Sequence, residues 1–134
     1  RLKRIAKAEG VWDDQRFRDQ IALLEVDVVA LEMLVLRVLS AEKSGKQSLD
    51  IAGLLKIRGS EIQQRYSELM MLAAGPYTLP LIREAMEAGW QGDYVGAAHC
   101  APVAGTYFNM RKTTIYGGSN EVQRNIVSSF VLGS

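Results

Sequence analysis

A single cysteine, a single histidine, three prolines and no long apolar run are the scarcities that bound this 134-residue sequence. One cysteine closes no internal disulfide, so the chain is not a cysteine-stapled secreted scaffold, and a cytoplasmic location is the expectation. The one histidine, His99, stands beside that cysteine, Cys100, and the pair offers no metal-ligand set of the usual spacing. No metal site is expected. Neighbours on a helix do not face one another, so a Cys100 nucleophile served by His99 is disfavoured and both read as packing residues. The most apolar stretch, Val28 to Leu39, is interrupted by Glu32 and Arg37 and is shorter than the roughly 20 apolar residues that span a bilayer. No membrane span is expected. An excess of one charge is lacking too: sixteen basic and fifteen acidic residues leave +1, with no stripe for the phosphates of a nucleic acid. The basic start, RLKRIAKAEG, is not followed by the apolar run of a signal peptide. With no initiator Met, the expectation is that the numbering begins inside a longer gene product.

What is present is helical periodicity. With 48% apolar and 23% charged residues, the chain has the composition of one globular domain with a real core. Asp13 and Asp14 offer capping oxygens before a segment of about 30 residues that should stop near Ser44 and Gly45. Its apolar residues Phe17, Ile21, Leu24, Val28, Leu31, Val35 and Val38 alternate steps of four and three, and Leu23, Leu34 and Leu36 widen the stripe into one wall of a bundle. Ser48 caps a second long helix, which ends at Gly75 and Pro76 and buries Ile51, Leu55, Ile62, Tyr66, Leu69 and Ala73. Gly53 and Gly59 inside it each cost about 1 kcal/mol relative to Ala, which points to a close helix crossing or to a backbone approached by a ligand. Residues 77–102 read as connector, 103–112 as a helical turn or two, and EVQRNIVSSFVL as a final helix with Val122, Ile126 and Phe130 on its apolar face. The predicted fold is all-α, a four-helix up-and-down bundle.

The segment that carries chemistry is IYGGSNEVQRNIV, Ile115 to Val127. Its glycine pair lets the backbone turn sharply and approach a ligand. Ser119 can cap the helix that follows, and Glu121 sits in the first turn, where the helix dipole favours an anion. The free amides there suit a phosphate, carboxylate or carbonyl oxygen, although on these grounds alone a simple turn and cap is the favoured account of the residues.

The thirteen residues from Ile115 to Val127 resemble the C-terminal signature of acyl-CoA dehydrogenases, whose usual form is I-Y-x-G-[TS]-x-[EQ]-I-Q-R-x-I. The resemblance runs back through LLKIRGSEIQQ and its GPY terminator, and the order of two long helices, connector and last helix is that of the family's C-terminal domain. It implies a fragment, inactive alone, of a subunit that also has an N-terminal helical domain and a middle β-domain. It also implies FAD as cofactor and an acyl-CoA substrate that undergoes α,β-dehydrogenation in fatty acid metabolism. The implied partners are an electron-transferring flavoprotein and further dehydrogenase subunits in a homo- or hetero-oligomer.

Residue by residue, the resemblance matches Ser119 and Glu121 to the pair that contacts FAD, and Tyr116 to a residue lining the acyl pocket. Gly117 matches the position whose main-chain N–H binds the thioester carbonyl. Gln123 and Arg124 match as well, with a structural or a ligand role open. In many members position 117 is the glutamate base, and glycine cannot take up a proton; no catalytic base is therefore assigned in this chain. The base is expected either on an earlier helix, before Arg1, or in a different subunit of a mixed enzyme. The arginine-phenylalanine-glycine element that grips FAD across the subunit interface is missing, and Met70 and Ala74 replace the polar and small residues of a second such element. A helical interaction module that binds only protein partners is the alternative reading.

Overall fold

The computed structural model describes residues 1–43 and 49–133. Within them the chain forms five α-helices joined by turns and short 3-10 segments, with no strand. The all-α architecture is the expected one. The additional helix is the first, α1 (Leu2–Ala8), which lies ahead of the predicted elements. Leu2, Ile5 and Ala6 are buried, a spacing of three and four that lays one face of two turns against the core. Gly10, at φ 76°, then turns the chain into a 3-10 segment, Val11–Asp13.

Helix α2 (Gln15–Lys43) starts as predicted: Asp14 Oδ1 accepts the Arg16 N–H at 2.8 Å, satisfying a donor that the first turn cannot. Its stripe is buried only over the first half. Phe17, Ile21 and Leu24 lie in the core, whereas Val28 and Val35 are 45% and 40% exposed, and Leu23, Met33, Leu36 and Leu39 are exposed beside them. The pattern therefore reports a long apolar face correctly, but this chain covers only its N-terminal part. The expected stop at Ser44 and Gly45, the Ser48 cap and the Ile51 side chain lie outside the described residues.

Helix α3 (Leu49–Ala74) is the centre of the domain and packs against every other α-helix. It ends where the glycine-proline pair predicts, with Gly75 in the left-handed region at φ 65°. Leu69, Met70 and Ala73 share one core with Ile5, Phe17, Ile21, Leu24, Cys100 and Val103; burying each larger side chain contributes about 1.5–3 kcal/mol. Past a 3-10 segment at Gly75–Thr78, residues 79–100 form the connector, with no α-helix and one 3-10 turn at Glu84–Met86. Helix α4 (Ala101–Met110) begins two residues before the expected start and continues into a 3-10 turn, Arg111–Thr114.

Helix α5 (Asn120–Leu132) closes the fold, but on a different face from the one predicted. Val122, Ile126 and Phe130 are 50%, 40% and 57% exposed, while buried Asn120 and half-buried Gln123 and Val127 face α3. The packed face is thus one residue, about 100°, away from the apolar stripe. Gly53 explains the approach: a Cβ there would meet Val127 Cγ2 at 2.8 Å and Gln123 Oε1 at 3.2 Å. Of the two readings offered for the helix glycines, Gly53 therefore takes the close crossing. Gly59 does not, since nothing stands within 4 Å of its would-be Cβ.

Candidate functional site

The signature residues lie together on one exposed bend, held at both ends. Upstream, Gln64 of α3 donates from Nε2 to the carbonyls of Met110 (3.3 Å) and Arg111 (3.1 Å). The Arg111 guanidinium answers by donating to Gln64 O at 2.9 Å and Ser67 Oγ at 3.2 Å, and it covers the Tyr107 ring at 4.3 Å. Buried Thr113 donates to Met110 O at 2.7 Å. This polar seam fixes the turn from which the bend departs.

Downstream, Asn120 anchors α5. Its side chain is buried, and its Oδ1 accepts from Lys56 Nζ at 2.8 Å and from Ser60 Oγ at 3.2 Å. Ser119 is the predicted cap, accepting the Val122 N–H at 3.4 Å. Arg124 pairs with Glu61 of α3 at 3.1 Å; Glu61 also pairs with Arg58, which reaches Asp27 of α2. These ion pairs are largely exposed, where each is worth about 0–1 kcal/mol, so Arg124 aligns helices more than it stabilises them.

Between these anchors, Gly117 and Gly118 take φ 68° and 85°, left-handed values that cost most other residues about 1–2 kcal/mol. Gln123 braces the bend by donating from Nε2 to Gly117 O at 3.1 Å. Both glycines are exposed, and no hydrogen bond to either N–H occurs among the described residues. Two main-chain donors on exposed residues are therefore without a partner among the described residues, beside the start of α5. The Glu121 carboxylate is held below the usual glutamate range, first by its own backbone N–H and then by the Ser119 hydroxyl, with smaller help from Arg124 and Lys56 against slight desolvation. Ser119 and Glu121 thus form one local unit, and Tyr116 is 55% exposed next to it.

A cleft of ≈ 240 Å³ opens beside Tyr116, lined by Leu55, Lys56, Gly59, Ser60, Gln63 and Thr113. A roomier cleft of ≈ 400 Å³ between α1 and α2 is walled mainly by Ile21, Leu24, Val28 and Val29 and contains no signature residue. Chemistry rather than size locates the site at the smaller one. The open side of Gly59 faces that cleft, in keeping with the second reading of this glycine. Lys56, Asn120, Gln64 and Arg111 were not singled out from the sequence; Asn120 and Arg111 flank the signature glycines, which was the available signal.

The comparison that decides the relationship covers nearly the whole chain: the family described as acyl-CoA dehydrogenase, C-terminal domain, matches residues 2–132. This chain belongs to the acyl-CoA dehydrogenase C-terminal domain family. It is also 27% identical over 132 residues to the acyl-CoA dehydrogenase IpdE1 of Mycolicibacterium smegmatis, an alignment covering 98% of this chain and 29% of that protein. The chain therefore spans less than a third of the length of that relative. No solved structure matches. No described helix is long and apolar enough to cross a membrane.

The acyl-CoA dehydrogenase family is generally FAD-dependent, and the residues present fit one part of such a cofactor's needs. Exposed main-chain donors at 117 and 118, a hydroxyl at Ser119 and an ionised carboxylate at Glu121 suit a polyhydroxylated chain and a carbonyl. Met70 and Ala74, near the end of α3, are each 1% exposed within the core.

Away from this bend, folding also brings Glu9 of the α1 terminus against His99 and Cys100, although sequence spacing offers no such set. His99 Nε2 lies 2.6 Å from Glu9 Oε1. Cys100 is fully buried, and burial, followed by the Glu9 charge, pushes its thiol up from the ordinary value.

Proposed function

We propose that this chain forms the flavin-side wall and the carbonyl-binding bend of an FAD-dependent acyl-CoA dehydrogenase that introduces the α,β-double bond of an acyl-CoA thioester. The observation that carries this reading is the pair of left-handed glycines, 117 and 118, with exposed and unpaired N–H groups at the mouth of α5. In the proposed arrangement the Gly117 N–H donates to the thioester carbonyl. That polarises the C=O, acidifies the α-carbon and stabilises the negative charge that develops on oxygen as the α-proton leaves. Tyr116 lines the acyl side of the cleft. Ser119 and Glu121 hold FAD hydroxyls, and the capping geometry keeps Glu121 ionised as an acceptor. FAD, when bound, supplies the acceptor for the β-hydrogen as hydride, and an electron-transferring flavoprotein is the proposed oxidant of the reduced cofactor.

Proton abstraction is not assigned to position 117, where glycine has no side chain to perform it. We assign it to a carboxylate outside residues 1–134, on the same subunit or on a second one. The complete subunit is proposed to add an N-terminal helical domain and a middle β-domain, so the segment alone is inactive. The exposed apolar half of α2, with Met33, Leu36 and Leu39, and the exposed Ile126 and Phe130 of α5 supply the surfaces on which those domains or further subunits pack. The same surfaces are what a helical interaction module without catalysis would use, so colour separates the two readings. The intact protein should be yellow, with a flavin spectrum, and should reduce an artificial electron acceptor when given acyl-CoA. A colourless intact protein that remains folded would rule the enzyme reading out and leave the module.

A further inference from the structure

Glu9, His99 and Cys100 are brought together by the packing of the α1 terminus against the start of α4, across 90 positions of sequence. A carboxylate oxygen, an imidazole nitrogen and a thiol sulfur all lie within 4.8 Å of one another there. The side chains of Glu9 and His99 are 24% and 26% exposed, while Cys100 is at 0%. The cluster is therefore closed on the sulfur side and open to solvent on the other. None of the three residues belongs to the Tyr116–Glu121 bend.

We propose that Glu9, His99 and Cys100 form a three-ligand site for a zinc-class divalent cation, with a fourth position open to water. The ligand types select the ion class. Thiolate and imidazole favour zinc or cobalt, whereas magnesium and calcium take oxygen ligands. Three protein ligands with a vacant fourth position are the coordination of an exchangeable zinc rather than of a closed structural one.

The geometry needs little change. Ligands at about 2.0–2.3 Å from a tetrahedral ion stand roughly 3.3–3.7 Å from one another. The His99–Glu9 contact must therefore open by about 0.7 Å, and the widest separation must close by about 1 Å. Side-chain torsions can supply both shifts. The backbone is already fixed, because Ile5 and Ala6 hold α1 in the core and the Cys100 N–H donates to Ala97 O at 2.9 Å. An ion would replace the proton shared between Glu9 and His99 and would take Cys100 as thiolate, its proton passing to solvent. Bound there, it would tie the first helix to the fourth.

The competing role for these residues is a plain hydrogen bond between Glu9 and His99 beside a core cysteine. Cobalt distinguishes the two. The intact protein that carries this chain is reduced, stripped with chelator and titrated with Co²⁺. The expected result is one equivalent per chain, with a thiolate-to-cobalt charge-transfer absorption that disappears when Zn²⁺ displaces the ion. Cys100→Ser should lose that absorption. Glu9→Gln, at a part-exposed position that keeps a hydrogen-bonding partner for His99, should remain folded and weaken cobalt binding by more than about tenfold, since even outer-shell changes cost about 10–100-fold. Absence of the absorption in the unsubstituted protein, its persistence in Cys100→Ser, or unchanged affinity in Glu9→Gln would each overturn the site.

Discussion

Lys56, in the second turn of α3, donates its ammonium to the Asn120 side chain at the first residue of α5, 2.8 Å away and 64 positions later. That amide also receives the Ser60 hydroxyl, so one buried oxygen collects two donors and sets where the last helix begins. Asn120→Ala would take this acceptor from the Lys56 ammonium, while the Ser60 hydroxyl keeps its bond to Ile57 O at 2.8 Å. The expected loss is about 1–3 kcal/mol, read by denaturant unfolding of the intact protein, whereas Asn120→Asp should retain most of the stability because it keeps the acceptor oxygen.

Two glycines of α3 should respond in opposite senses. Gly53→Ala places a methyl 2.8 Å from Val127 Cγ2, a β-branched group with little room to swing. Overpacking of this kind costs about 1–3 kcal/mol, enough to outweigh the gain of about 1 kcal/mol in helix propensity. Gly59→Ala meets nothing within 4 Å and should stabilise by up to about 1 kcal/mol. Melting temperatures of the two variants, measured side by side, test the contrast.

Gly117→Pro removes the N–H and, with its ring locked near φ −65°, also the left-handed bend at 68°; kcat of the intact enzyme should fall by at least the about 10²–10³-fold that losing one such donor costs. Gly117→Ala keeps the N–H at a φ of 68° and bears only the left-handed penalty of about 1–2 kcal/mol. Its kcat should fall far less. Equal losses in the two variants would count against the carbonyl-binding role.

Glu121 gives a pH signature. Its folded-state pKa is depressed, chiefly by its own N–H and then by the Ser119 hydroxyl. Its contribution is therefore fully present above the ordinary glutamate range and is lost as pH falls through the lowered value. Ser119→Ala deletes the second cause and should move the Glu121 titration upward, as followed by NMR of the carboxyl carbon. The same change removes the helix cap and should cost about 0.5–2 kcal/mol, toward the low end because the Val122 N–H to Ser119 Oγ bond is long at 3.4 Å.

The parts of the fold that were legible in the sequence are those governed by local rules. The Asp14 cap, the Gly75 terminator, the Ser119 cap and the left-handed glycine bend are each written in a few adjacent residues. Helix α1 escaped because seven residues carry little periodicity, although Leu2, Ile5 and Ala6 already had the right spacing. Periodicity also says that a face is apolar without saying what covers it. Hence the outer half of α2 and the Val122–Phe130 stripe stand exposed, and α5 meets α3 through Asn120, Gln123 and Val127 instead. Contacts between distant residues were not readable at all: neither Lys56 with Asn120 nor Glu9 with His99 leaves a trace in local spacing.

The Gln123 side chain, reaching back to Gly117 O at 3.1 Å, ties the bend to the first turn of α5. Whatever tilts that helix also re-aims the N–H groups of Gly117 and Gly118. The tilt is set where Val127 rests against the bare backbone of Gly53, a mechanical stop buried between two helices. Aim at the mouth of the cleft is thus calibrated from behind, and a single methyl added at that stop would deflect the donors without touching them.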